Sequence, residues 1–255
     1  MGTEAMAESP VKLGRAERIG NFLFKYRSGL AIVVAIPMSL AMLDFQYPNG
    51  NPDLDLPWEL VCLAVSLLGF GIRVLTAGFV PKGTSGRNTS TQRAYSLNTT
   101  GMYSLCRNPL YLGNFLAWLG VAMAPRAWWA PATVVIVFAI FCIFVIHAES
   151  QFLRRQFGQE YADWANKTPA FIPRLWGWRR SPLPFSVRTV LRREHGSFFS
   201  LVVGFTAVEV VGDFRIYGRF EFDLFWAITF GVSLVLYVVL RTLKKSTTVL
   251  NVAGR

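Results

Sequence analysis

Charge is scarce in this chain. Asp, Glu, Lys and Arg make up 16% of its 255 residues, against about 25% in soluble domains. With 53% hydrophobic residues and a mean hydropathy of +0.37, the chain reads as a membrane protein. Acidic residues are the scarcer sign, 15 against 26 Lys and Arg, which leaves a net charge of +11. In a soluble protein that excess would suggest nucleic acid. Here the basic residues stand just outside apolar runs, so no nucleic-acid partner is expected and the cytoplasmic membrane surface takes its place. Cysteine is also sparse. Cys62, Cys106 and Cys142 show no paired spacing and two lie inside apolar runs, which argues against a disulfide framework or a metal site. The first 20 residues lack the apolar core of a signal peptide, so entry into the membrane is expected through the first span. No internal repeat is visible.

What is present is a series of six apolar runs. They cover Gly29–Leu43, Pro57–Val80, Pro109–Ala124, Trp128–Ile146, Ser197–Val211 and Leu224–Leu240. The expected fold is all-α, a polytopic membrane protein of about six transmembrane helices. Residues 1–28 read as a polar arm and 29–255 as one membrane domain. Pro125 and Arg126 leave so short a link between the third and fourth runs that these must form an antiparallel hairpin. The third and fifth runs are short against the ~20 residues that a crossing needs. Between the fourth and fifth runs lies a long basic segment, in which apolar and Arg residues alternate over 185–193 as in a helix lying on the membrane surface. With the N-terminus in the cytoplasm, residues 1–28, 81–108, 147–196 and 241–255 are inside, and they hold 22 of the 26 Lys and Arg. That asymmetry favours an N-in, C-in arrangement.

Polar residues cluster at two points. The stretch Leu97–Gly113, LNTTGMYSLCRNPLYLG, carries Tyr103, Arg107 and Asn108 to the mouth of the third run. Asn108 before Pro109 is ordinary helix-start chemistry. A helix N-terminus beside an Arg fork is also a place to hold a carboxylate or phosphate. His147 and Glu149 stand at the end of the fourth run. In a hairpin of roughly matched arms the two clusters are neighbours, giving one pocket with cationic and anionic ends, as a zwitterionic amino-acid ligand requires. Gly69-Phe70-Gly71 lies inside a span with no strand before it, so it reads as helix packing rather than a nucleotide loop. Arg73 in the same span is a functional candidate because an intramembrane Arg is costly. Arg87 sits in a Gly/Ser/Thr-rich loop able to grip phosphate. The sequons at Asn88 and Asn98 fall on the expected cytoplasmic side and are set aside.

The segment Gly101–Gly113, GMYSLCRNPLYLG, resembles the hallmark of the isoprenylcysteine carboxyl methyltransferase and phospholipid methyltransferase superfamily: Gly-Pro-Tyr, then Arg-His-Pro, any residue, Tyr, any residue, Gly. ESQFLRRQFGQEYADWANKTPAFIP resembles its second block. The resemblance covers about residues 60–178 and leaves the extra helices at about 197–240 unexplained. It implies a methyltransferase that binds S-adenosylmethionine on the cytoplasmic side and methylates a lipid or lipidated acceptor (carboxylate, phosphate or amine) reached from the bilayer. Such a protein belongs in a bacterial inner membrane. Tyr103, Arg107, Asn108, Tyr111, Leu112, Gly113 and Glu149 inherit cofactor or active-site positions, and His147 joins them by its place beside Glu149. Arg107, Asn108 and Glu149 are the expected catalytic group, with Arg73 and Arg87 on the acceptor. Three positions depart from the pattern: Met102 stands for Pro, Asn108 for His and Ser150 for a second Glu. The rival reading is a non-catalytic transporter or assembly factor on the same scaffold.

Overall fold

The computed structural model describes residues 13–47, 54–84, 94–220 and 224–255. Arg87, the Asn88 sequon and residues 1–12 lie outside them. The described residues are helical, without strands. Seven α-helices follow in order: α1 (Arg15–Lys25), α2 (Leu30–Ala41), α3 (Asp55–Phe79), α4 (Pro109–Met123), α5 (Trp129–Lys167), α6 (Val187–Tyr217) and α7 (Leu224–Ser246). Four of them, α3, α5, α6 and α7, are long and apolar enough to cross a membrane, and shorter apolar helices cover Ile32–Asp44 and Pro109–Met123. The protein is an integral membrane protein, and its six apolar helices follow the six apolar runs.

Three boundaries differ from the sequence expectation. The basic arm is not all loop: Arg15–Lys25 forms α1, which buries Glu17, Gly20 and Phe24 on one face. Gly20 lets α1 lie directly on α5, since a Cβ there would come within 2.1 Å of the Phe144 carbonyl, and Glu17 pairs with Arg155. Next, α5 does not end at Ile146. It runs 39 residues to Lys167 with one kink at Gly158 (φ 51°), about 58 Å in all, nearly twice the ~30 Å hydrocarbon thickness. The apolar pattern stops at Ile146, but Ala, Glu, Gln, Leu and Arg continue as good helix formers. No strong stop comes before Thr168-Pro169. Finally, the basic segment before the fifth run is not a separate surface helix. It is the start of α6, a single helix of 31 residues capped by Ser186, whose hydroxyl accepts from the Thr189 N–H at 3.3 Å.

Helix association in lipid gains little from apolar burial, so close backbone approach and internal hydrogen bonds matter more. The α3–α4 seam is built this way. A Cβ on Gly69 would fall 2.5 Å from the Ala117 nitrogen, and one on Gly113 would fall 2.8 Å from the Gly69 carbonyl. The Ser66 hydroxyl donates to the Ala117 carbonyl across the seam at 2.8 Å. Gly69 is thus a packing residue, as its place inside a span predicts. At the far end of the hairpin, residues 124–128 turn the chain into α5. On the remaining side Phe205 of α6 stacks on Trp226 of α7, with centroids 5.9 Å apart and planes 10° apart.

Candidate active site

The stretch before α4 is a short 3-10 turn, Gly101–Ser104, followed by Leu105–Asn108. It does not stand alone, because the loop after α5 is laced to it. The Gly101 N–H donates to the Arg179 carbonyl at 2.8 Å, Arg174 N–H to the Leu105 carbonyl at 3.0 Å, and Arg107 N–H to the Pro169 carbonyl at 2.9 Å. Side chains add to this lacing. The Asn108 amide donates to the Ala170 carbonyl at 2.8 Å, and the Trp164 indole donates to the Tyr103 carbonyl at 3.2 Å. Asn108 occupies the N-cap position of α4, but its side chain makes no cap bond. It spends its N–H donor on the opposing loop instead.

Behind this lacing opens a cavity of about 920 Å³. Tyr103, Arg107, Asn108, Tyr111, Glu149 and Arg73 all line it, so the α4–α5 hairpin brings Glu149 to the polar cluster before α4. Arg107 Nη1 donates to the Tyr161 hydroxyl at 3.1 Å, while its buried Nε has no hydrogen-bond partner among the described residues. Glu149 accepts a hydrogen bond from the Tyr111 hydroxyl and feels the charge of Arg27. Tyr111 in turn meets Phe141 edge-on at 5.9 Å. Burial, reinforced by the Glu149 charge, pushes the Tyr103 phenol well above its ordinary pKa, so it stays a neutral hydroxyl. Burial likewise pushes the Cys106 thiol up to about 11, which removes it as a nucleophile near neutral pH. Between the polar groups the wall is apolar and aromatic, with Phe24, Phe70, Trp118, Phe138 and Phe141.

Other expected residues fall elsewhere. His147 is exposed and does not line the cavity. Two positions from Glu149 on a helix it points to a different face, and Ala148 between them is buried against α1 at Gly20. Leu112 and Gly113 are buried but do not reach the cavity. A Cβ on Gly113 would lie 2.5 Å from Arg73 Cγ, so this glycine seats the arginine. Arg73 reaches the cavity wall with its guanidinium already held. Its Nε donates to Glu194 at 2.8 Å and its Nη2 to Ser197 at 3.0 Å, and Nη1 bonds Asn114. Sequence reasoning overlooked Arg27, Asn114, Trp164 and Glu194. Only Asn114 offered a signal, as a polar residue inside an apolar run.

Comparison with known proteins decides the family. The sequence model of the phospholipid methyltransferase family matches residues 60–160. The chain is also 35% identical over 167 residues to the cobalt-zinc-cadmium resistance protein CzcN of Cupriavidus metallidurans, a match covering 65% of this chain and 71% of CzcN. It is 31% identical over 157 residues to the nickel-cobalt-cadmium resistance protein NccN of Alcaligenes xylosoxydans xylosoxydans, covering 62% of this chain and 69% of NccN. The chain belongs to the phospholipid methyltransferase family. No solved structure matches it. The family-matched stretch supplies α4 and most of α3 and α5, and with them Arg73, Tyr103, Arg107, Tyr111 and Glu149. The departures from the hallmark also have places in this phospholipid methyltransferase-family domain. Met102 is buried at 7% exposure, and Asn108 supplies an uncharged donor to Ala170. Ser150 does not line the cavity, which leaves Glu149 as the one carboxylate among its described lining residues.

Proposed function

We propose that this protein is an S-adenosylmethionine-dependent methyltransferase. It acts on a lipid or lipidated acceptor at the cytoplasmic face of a bacterial inner membrane. The observation that carries the reading is the pairing of a buried, unpartnered Arg107 Nε with the Glu149 carboxylate on the wall of one cavity. A guanidinium with a donor to spare suits a carboxylate, and a carboxylate suits an ammonium. The methionine end of S-adenosylmethionine carries both, so the residues present fit it. When bound, this cofactor supplies a methyl group on a cationic sulfur, electrophilic without further activation.

The chain's own residues then have positional tasks. Arg107 orients the carboxylate, and Glu149, steadied by Tyr111, takes the ammonium. Asn108 fixes the loop that closes over them. The aromatic wall excludes water, and alignment of two bound reactants contributes roughly 7–11 kcal/mol. A carboxylate or phosphate acceptor arrives ionised and needs no base. An amine or thiol must lose a proton to a base, and with Glu149 engaged on the ammonium the cavity favours an acceptor that arrives ionised. The greater basic charge of the segments around the cavity supports the cytoplasmic orientation.

The names of the two relatives favour a second reading. In it the protein serves metal resistance as a transporter or assembly factor on the methyltransferase scaffold. Purified protein in detergent with labelled S-adenosylmethionine separates the two. Saturable binding that is weakened in both Arg107→Ala and Glu149→Ala supports the enzyme. No binding by demonstrably folded protein leaves the second reading standing.

A further inference from the structure

The cavity extends beyond the family-matched stretch. Its far wall comes from α6 and α7, with Arg193 and His195 on one and Tyr237, Arg241 and Lys244 on the other. Two features of this wall point to a ligand. The first is charge. The described lining residues that α6 and α7 contribute include three cations, Arg193, Arg241 and Lys244, and no carboxylate; the cavity's one described carboxylate, Glu149, is on α5. Glu194, the acid next to Arg193, is 3% exposed and paired with Arg73; it does not line the cavity. A concave wall of net positive charge beside low-dielectric surfaces concentrates anions.

The second feature is that this rim is held in place and gives way to apolar surface. Tyr237 stacks on Phe199 with centroids 4.7 Å apart and planes 17° apart, and His195 tilts against the same ring at 5.6 Å. The Arg241 guanidinium donates to the Tyr237 hydroxyl. Phe70, Trp118, Val121 and Leu201 line the cavity as well. A basic rim on an apolar chamber matches a molecule with an anionic head and an apolar chain.

We propose that the α6–α7 wall is the acceptor site and takes an anionic amphiphile. Its headgroup lies against Arg193, Arg241 and Lys244, and its chain lies along the apolar surface. Calling the ligand the acceptor rests on the methyltransferase reading above; its binding does not. The two helices that the family resemblance leaves unexplained thereby select the substrate.

The test uses the full chain in dodecyl maltoside micelles and measures retention of labelled phosphatidic acid alongside binding of labelled S-adenosylmethionine. The expected result is saturable retention of phosphatidic acid in preference to phosphatidylcholine. The pair Arg241→Gln/Lys244→Gln, both exposed, should weaken it about tenfold and leave cofactor binding unchanged. Arg15→Gln/Arg18→Gln, basic positions outside the cavity, should change neither. Equal retention of phosphatidylcholine would overturn the proposal. So would an unchanged α7 double variant, or an equal loss in the α1 double variant. Displacement by inorganic phosphate at the lipid's own concentration would also overturn it, by leaving only an ion site. Phosphatidic acid binding without cofactor binding in the unaltered protein supports this site and removes the methyltransferase reading instead.

Discussion

Helix α3 carries an ion pair near each end, and the two serve different purposes. Close to its start Asp55 meets Arg126. About 27 Å further along, Arg73 meets Glu194. At the Asp55 end the chemistry is used up in holding the bundle. Arg126 adopts a left-handed backbone (φ 65°), donates to the Gln46 carbonyl at 3.0 Å and lies 4.8 Å over the Phe45 ring. The space beside it is about 10 Å³, too little for a ligand. At the Arg73 end an equally engaged guanidinium stiffens the wall of a chamber of about 920 Å³. An ion pair on an apolar helix is therefore weak evidence of a site by itself. Open volume next to it is what distinguishes the two ends.

The sharpest way to break this comparison is Arg73→Ala. It takes the arginine away from the buried Glu194 carboxylate, and a loss of about 3–5 kcal/mol is expected. Unfolding in a denaturing detergent series would measure it, and removing Glu194 as well should restore part of the loss. Arg107→Ala comes next and should act on the ligand rather than on the fold. The expected change is about tenfold to a hundredfold in S-adenosylmethionine affinity, from roughly 1.5–3 kcal/mol of charged hydrogen bonding, with a smaller stability change than Arg73→Ala. Arg126→Ala inverts the pattern. Asp55 is 33% exposed, so screening limits the loss to about 1 kcal/mol of stability, and cofactor affinity should hold. An Arg126→Ala loss as large as that of Arg73→Ala would erase the distinction between the ends. The smallest effect belongs to His147→Ala, within about 0.5 kcal/mol and without change in binding. A large loss there would mean that α5 turns a different face to the cavity.

Much of the fold was legible because composition alone marks apolar helices. Six runs gave six apolar helices, and the short link at Pro125-Arg126 required the α4–α5 hairpin that brings Arg107 and Glu149 to one cavity. What was not legible has a common cause. Hydropathy reports where a helix leaves lipid, not where it ends, so the polar second half of α5 and the basic first turns of α6 read as loop or surface helix. Two residues apart in sequence, His147 and Glu149 looked like one cluster, although helical geometry sends them to different faces. Long-range polar pairings left no local trace either. Nothing near Arg73 announces Glu194, 121 positions away, and nothing near Asn108 announces that its amide serves Ala170. Asn108 looked like a loss against the histidine of the family pattern. As a donor to a carbonyl it does its observed work without any proton to gain or lose.

That last bond also orders events in time. Asn108 and Ala170 are 62 residues apart, and at about 5–20 residues per second the ribosome takes roughly 3–12 s to travel between them. The hairpin can thus enter the lipid and pair its two arms while the strap over its mouth has yet to be made. The pocket is finished from its floor upward, and its far wall, on α6 and α7, is the last part to be synthesised.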